Sequence, residues 1–182
     1  YQAEAYHRSD AVVDLTPYMN SPRWGLTAAE REDYNQDFLV QDNVRGVQLA
    51  FLPSRSMEIL YYNESWLREL GYDAPPQDWS AFAAMCRRAR EHPFSRSTDP
   101  EFSLGFLLNV DASRLAAMVF SRGGDFVRAD GSAYTLNTPQ ARAALALLQE
   151  LKREGAMDLL GEDNKDAFGA GQVLFAIHSS SR

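Results

Sequence analysis

Apolar positions along the chain alternate between two periods. Ala141, Ala144, Leu145, Leu148 and Leu151 recur at helical spacing behind Thr138-Pro139, a cap followed by a first-turn proline, so a helix is predicted from 139 to a stop at Gly155. Asp78 ahead of Trp79 predicts a capped helix over 79–91. Asn63 predicts another over 64–70, ended by the left-handed stop that Gly71 supplies. Asp111 caps a predicted helix to about 122, before Gly123-Gly124, and 163–168 predicts a short one. Thr27-Ala28-Ala29-Glu30 is a capping box, in which Thr accepts from a free helix N–H and Glu reaches back, and it predicts a helix to about 38. Short apolar runs predict strands over 44–52, 57–62, 102–108 and 173–177, the first ended by Pro53. Residues 126–127 and 134–136 flank Asp130-Gly131 as a hairpin. The stretch up to about residue 22 reads as irregular, with one apolar run over 11–15. Strands and helices in alternation predict an α/β layered fold with a partly parallel sheet.

Composition narrows the function classes. The 182 residues fit one domain, or one lobe with part of a second. A hydrophobic fraction of 45% with 12% aromatic residues supports a real core. The net charge of −7 argues against nucleic acid as a partner, because phosphate binding needs basic clusters and Arg87-Arg88 with Arg90 reads as a solvated helix face. No apolar run approaches the ~20 residues of a membrane span. The start at Tyr1 and the stop at Arg182 read as cuts within a longer protein. Cys86, the single cysteine, lies among apolar residues and reads as a buried packing thiol. His7, His92 and His178 are scattered without carboxylates at metal-ligand spacing, so neither a metal nor a cofactor is expected. GxSxG, P-loop and GxGxxG patterns do not occur, and Gly123-Gly124 follows a helix instead of opening one, so no catalytic residue is assigned.

Five segments in order carry a resemblance. They are 47–53 with Met57-Glu58-Ile59-Leu60-Tyr61-Tyr62-Asn63; Leu70-Gly71 with Pro75-Pro76-Gln77-Asp78-Trp79; Phe120-Ser121-Arg122-Gly123-Gly124; Asn137-Thr138-Pro139-Gln140-Ala141; and Phe168-Gly169-Ala170-Gly171 running into 172–177. Together they resemble family 1 extracellular solute-binding proteins, the maltose-binding-protein-like group, from about residue 11 onward. Gln172 stands where that pattern commonly has Lys, and Val173-Leu174-Phe175 replaces its small residue and Met. The resemblance implies a type II periplasmic-binding-protein-like fold, mainly lobe 2 with a short lobe 1 portion. Residues 1–53 would be late lobe 1 with the crossing strand, and 54–182 a truncated lobe 2. It further implies an extracytoplasmic protein, in the periplasm or lipid-anchored at the cell surface. Such a protein captures a sugar or polyol derivative by hinge closure near 53–57 and hands it to the membrane subunits of an ABC transporter. It is not an enzyme.

Ligands of open α/β sheets sit beyond the carboxyl ends of strands, and sugars are read by planar polar side chains. The resulting candidates are Arg55 and Ser56 beside the hinge; Asn109, Asp111 and Ser113 after the third long strand; and Ser179 and Ser180 after the last. Arg55 offers a fork of donors, Asn109 and Asp111 suit hydroxyls, and the serines form a polar nest with their N–H groups. Ser113 stands at the place of a stacking aromatic in the resembled pattern, a departure that bears on sugar stacking by this loop. Tyr61, Tyr62, Trp66, Trp79 and Phe120 are assigned to the core, and Trp24 to the surface or to packing against a partner, with a stacking platform as the alternative. Two rival readings have their own requirements. A glycerol-phosphodiester or polyol binder would use Arg55 or Arg114 on an anionic phosphate. A carbohydrate-active enzyme would need an acidic partner for Asp111 across a cleft.

Overall fold

A computed structural model describes residues 2–44, 46–52, 54–128, 130, 132–160 and 165–181. Pro53, Gly131 and Asp163, expected as a strand stop, a turn residue and a helix start, lie outside these residues. The chain divides into two compact units, Tyr1–Ser56 and Met57–Arg182.

The first unit is built from short pieces: α1 (Gln2–Arg8), α2 (Thr16–Met19), α3 (Ala28–Asp33), α4 (Gln36–Val40), β1 (Asn43–Val44) and β2 (Val47–Gln48). The capping box at Thr27 and Glu30 forms as expected. The helix it starts stops at Asp33, because Asn35 turns extended and caps α4 through Asp37 N–H. The strand expected over 44–52 is instead a two-residue antiparallel pair. Gly46 takes a positive φ of 87° between the two strands, which reverses the chain where an extended run was expected. The N-terminal stretch expected to be irregular contains α1 and α2, the latter with proline in its first turn. Gln48 is 7% exposed and organises this unit. Its side-chain N–H₂ donates to the carbonyls of Leu39 and Ala50, and its backbone N–H donates to Asp14 and Thr16. A buried amide is tolerated because its donors are satisfied in this way.

The second unit is a four-stranded sheet with helices packed on it. Its strands are β3 (Glu58–Tyr62), β4 (Leu104–Asn109), β5 (Met157–Leu160) and β6 (Val173–Ser179), in the order β3-β6-β4-β5. β4 runs parallel to β5 and β6, while β3 pairs antiparallel with β6. β5 was not anticipated; it is four residues long and carries Asp158. The helices are α5 (Glu64–Glu69), α6 (Trp79–Glu91), α7 (Ala112–Phe120), α8 (Pro139–Arg153) and α9 (Lys165–Gly169). Each expected cap on α5 to α8 is made: Asn63, Asp78, Asp111 and Thr138 accept from N–H groups of the first turn. The expected pairing of 126–127 with 134–136 appears among the described residues as a short antiparallel bridge, Val127 opposite Tyr134, with the Thr135 N–H donating to the Phe126 carbonyl and the Arg128 N–H to the Ala133 carbonyl.

β4 is buried at every residue and β6 at all but its last, which is why both read as continuous apolar runs and not as alternation. Phe82 of α6 packs 5.1 Å from the Phe106 ring, edge on, and 5.0 Å from Phe175. These rings join Trp66, Met118 and Leu151 in the core. Trp66 donates its indole N–H to the His92 carbonyl, so its polar edge is satisfied in the interior. Phe120, assigned to the core from sequence, is 53% exposed at the last residue of α7, and Tyr62 is 36% exposed at the end of β3. Among the described residues no helix is long and apolar enough to cross a membrane.

Candidate functional site

Parallel pairing brings the carboxyl ends of β4 and β6 side by side. Leu107 lies opposite Ala176, so Asn109 and His178 come to the same level, followed by Asp111 on one side and Ser179 on the other. Asp111 takes an extended conformation that starts α7, and its Oδ1 accepts the Ser113 N–H at 2.7 Å. The carboxylate thus sits at the positive end of a helix. Asn109 is 8% exposed, whereas Asp111 and Ser113 face solvent.

The Ser113 hydroxyl ties this loop to the edge strand. Its oxygen lies 2.6 Å from Asp111 Oδ1 and 2.7 Å from Glu58 Oε1. Glu58 opens β3 directly opposite Ser179 of β6. Ser180 closes the same pairing, donating its N–H to the Met57 carbonyl and accepting the Met57 N–H on its hydroxyl. Ser179 shares a 2.9 Å hydroxyl contact with Ser181, and Tyr61 donates to the Ser179 carbonyl. Asn109, Asp111, Ser113, Ser179 and Ser180 therefore gather at one end of the second unit's sheet.

Behind this polar surface lies a charged layer. Arg114, 6% exposed, places Nε 3.8 Å from Glu58 Oε2 and Nη2 3.4 Å from His178 Nδ1. Sequence spacing gives no signal for the Glu58–Arg114 pair, because the partners are far apart along the chain; the only hint is polar residues at the ends of apolar strand runs. Beside it, a cleft of about 360 Å³ runs between β3, the start of α6 and α7. Its walls are mainly apolar, including Leu60, Phe82, Met118 and Ile177, and Glu58 lines it as well.

Arg55 and Ser56 belong to the first unit. The Arg55 guanidinium forms an ion pair with Asp42 and donates to the Phe38 carbonyl, and the paired side chains are 18% and 19% exposed. Ser56 is exposed. No group of histidine, cysteine or acidic side chains among the described residues is arranged to hold a metal ion. What the second unit presents is a set of hydroxyls, carboxylate and amide groups at strand ends, suited to exchanging hydrogen bonds with a polyhydroxylated molecule.

In open α/β sheets small molecules are commonly bound beyond the carboxyl ends of the parallel strands, which is where the polar cluster of the second unit lies. The profile of the bacterial extracellular solute-binding protein family matches residues 1–182, and the chain belongs to that family. A curated relative, the probable ABC transporter-binding protein of Deinococcus radiodurans, is 28% identical over 147 residues, covering 75% of this chain and 34% of its own. The chain thus spans about a third of that relative's length. Among solved structures, a substrate-binding protein of Listeria monocytogenes in complex with cycloalternan superposes with a TM-score of 0.75 at 19% identity, over 97% of this chain and 45% of that one. A Mycobacterium tuberculosis protein in complex with glycerophosphocholine gives 0.76 at 18%, over 97% and 44%. The sugar-binding protein MalE of Xanthomonas citri gives 0.74 at 16%, over 96% and 43%. At these identities the superpositions establish the periplasmic-binding-protein type II fold.

Proposed function

We propose that this chain is part of the extracytoplasmic solute-capture component of an ABC importer, and that its solute is a carbohydrate or related polyol. Residues 54–182 form most of one ligand-binding lobe and 1–53 a late part of the other, with the hinge near 53–57. Capture is by lobe closure, with no bond made or broken, and the closed form is passed to the membrane subunits of the transporter. Asn109, Asp111, Ser113, Ser179 and Ser180 read solute hydroxyls from the second unit; Arg55 and Ser56 border the solute at the hinge.

The observation that carries the reading is the gathering of hydroxyl-reading groups at the sheet end in a chain of this family. The relatives solved with cycloalternan and with glycerophosphocholine mark the two solute classes to compare. A neutral polyol is favoured over a phosphodiester because Arg55 and Arg114, the cations proposed for a phosphate, are each already paired with a carboxylate. Opening either pair would leave a largely buried carboxylate without its counter-charge.

The test is a thermal-shift screen of the full-length protein carrying this sequence, followed by calorimetry, with maltose, laminaribiose and glycerophosphocholine. Tight binding of a disaccharide, lost in D111N, is the expected result. Tight binding of glycerophosphocholine with no response to either sugar would replace the carbohydrate reading by the phosphodiester one.

A further inference from the structure

The mainly apolar cleft beside the strand-end cluster is walled by the second unit alone. At about 360 Å³ it lies at the lower end of the range of small-molecule sites, about 300–1,000 Å³. It is continuous with the polar cluster in two ways. Glu58 lines it and also accepts the Ser113 hydroxyl at 2.7 Å. Ser113, Ala117 and Ser121 recur at i, i+4 spacing along α7 and its C-cap, so they share one helix face. Ser113 stands at the polar end of that face, while Ala117 and Ser121 line the cleft. The Trp79 wall is fixed in place. Its indole N–H donates to the Ser121 hydroxyl at 3.2 Å, and the Arg122 guanidinium lies 4.1 Å from its ring centre.

We propose that the solute carries an apolar group beside its hydroxyls, and that this group, an alkyl or aryl substituent, lies in the cleft between β3, the start of α6 and α7. The inference rests on the strand-end reading of the solute site and narrows its solute class to glycosides with an apolar aglycone. The polar groups along the cleft are few, and each has a partner within the protein. The Ser121 hydroxyl donates to the Met118 carbonyl, Asp78 accepts the Ala81 N–H, and the Gln77 amide donates to the Pro75 carbonyl. A second sugar ring in this space would press hydroxyls against Leu60, Phe82, Met118 and Ile177, exchanging water for surfaces that offer no hydrogen bond. A cationic group is served no better, because Glu58 already faces Arg114 and Asp78 already caps α6. An apolar group meets neither cost and gains by leaving water. The fixed Trp79 wall also spares the ordering that an adaptable one would require.

The experiment uses the full-length protein carrying this sequence and calorimetry with maltose, laminaribiose and the methyl, butyl and hexyl glycosides of each. Each buried methylene is worth about two- to fourfold in affinity, so the hexyl glycoside of the better-bound disaccharide should bind at least about thirtyfold more tightly than the methyl one. The heat-capacity change of binding should grow more negative along the series, the mark of apolar burial. In A117F, whose ring fills part of the cleft, the hexyl-to-methyl ratio should fall below about threefold, because the chain is kept in water. A117L, a smaller intrusion, should give a ratio between the two. A wild-type ratio within about twofold, beside a parent disaccharide that binds, overturns the inference and leaves the solute reading in place. A large ratio unchanged in both variants puts the alkyl chain elsewhere and overturns it as well. If neither disaccharide nor any glycoside binds, the inference falls together with the carbohydrate reading.

Discussion

Gly105 offers the sharpest test of how the sheet is held against its helices. It lies in β4, the strand that ends at Asn109, and it backs onto α6 where a side chain has no room. A Cβ at this position would come 2.2 Å from Cys86 Cα, 2.3 Å from the Cys86 carbonyl oxygen and 2.5 Å from Cys86 Cβ. Ordinary carbon contacts are about 3.5 Å or more, so α6 and β4 must separate by roughly 1 Å. No rotamer change can provide this, because two of the three obstructing atoms are backbone, and shortening Cys86 would leave both in place. β4 cannot yield easily either. It is hydrogen-bonded on both sides, to β6 and to β5, and the Gly105 and Phe106 N–H groups both donate to the Ala156 carbonyl. Overpacking typically costs about 1–3 kcal/mol, and a clash of this kind belongs at the upper end, about 3 kcal/mol. For a unit of this size that lowers the melting temperature by roughly 10 °C. The assay is thermal unfolding of G105A beside G169A, since a Cβ at Gly169 meets nothing within 4 Å. If G105A melts within about 2 °C of the parent, α6 does not rest on β4 at this contact and the reasoning is wrong.

Cys86 is fully buried, and burial pushes its thiol well above the usual range, so a thiol reagent at pH 8 should leave the native protein unmodified and label it fully once unfolded. D78A should destabilise the protein by about 1 kcal/mol in urea titration, because the Asp78 carboxylate satisfies the Ala81 N–H at the start of α6. The Asp158 carboxyl is held below its ordinary value of 3.8, first by the hydrogen bond from Lys152 and then by the Leu159 N–H. A depressed carboxyl stabilises the fold above its unfolded value and loses that contribution as pH falls through the lower folded one. The stability advantage of wild type over D158N should therefore be complete at neutral pH and disappear between about pH 4 and pH 2. A difference that grows towards acid would contradict the assignment.

Features decided by neighbouring residues were legible in the sequence, and those decided by distant ones were not. The caps at Asn63, Asp78, Asp111 and Thr138 and the left-handed stops at Gly71, Gly123 and Gly155 are local, and each appears where the pattern put it. β5 escaped notice because a four-residue strand holding one aspartate has no periodicity of its own; it exists because β4 offers it a partner. The run over 44–52 looked like a strand because its composition suits one, but the reversal at Gly46 outweighs propensity. Phe120 looked like core because aromatic residues usually are, yet it falls at the last residue of α7. Strand-end logic led to Asn109, Asp111 and the serines, and the structure brings these residues to one end of the second unit's sheet. The pairing of charges could not be read in this way, since Glu58 meets Arg114, and Arg55 meets Asp42, only after folding.

Those same charged groups bear on what the site can do. Two carboxylates near one another at the end of a sheet invite comparison with a glycosidase, in which the pair faces a shared space and acts on a substrate oxygen lying between. Asp111 does have an acidic neighbour in Glu58, but the space between them is filled by the Ser113 hydroxyl, in hydrogen-bond contact with both. Glu58 turns its second oxygen inward to Arg114, away from any substrate. A glycosidic oxygen could reach both carboxylates only by displacing a residue whose N–H is held by Asp111 at the first turn of α7. The two carboxylates therefore do not share one open space: Ser113 stands between them, Asp111 lies on the solvent side, and Glu58 turns one oxygen to the buried Arg114. This arrangement differs from the facing pair that glycoside cleavage uses.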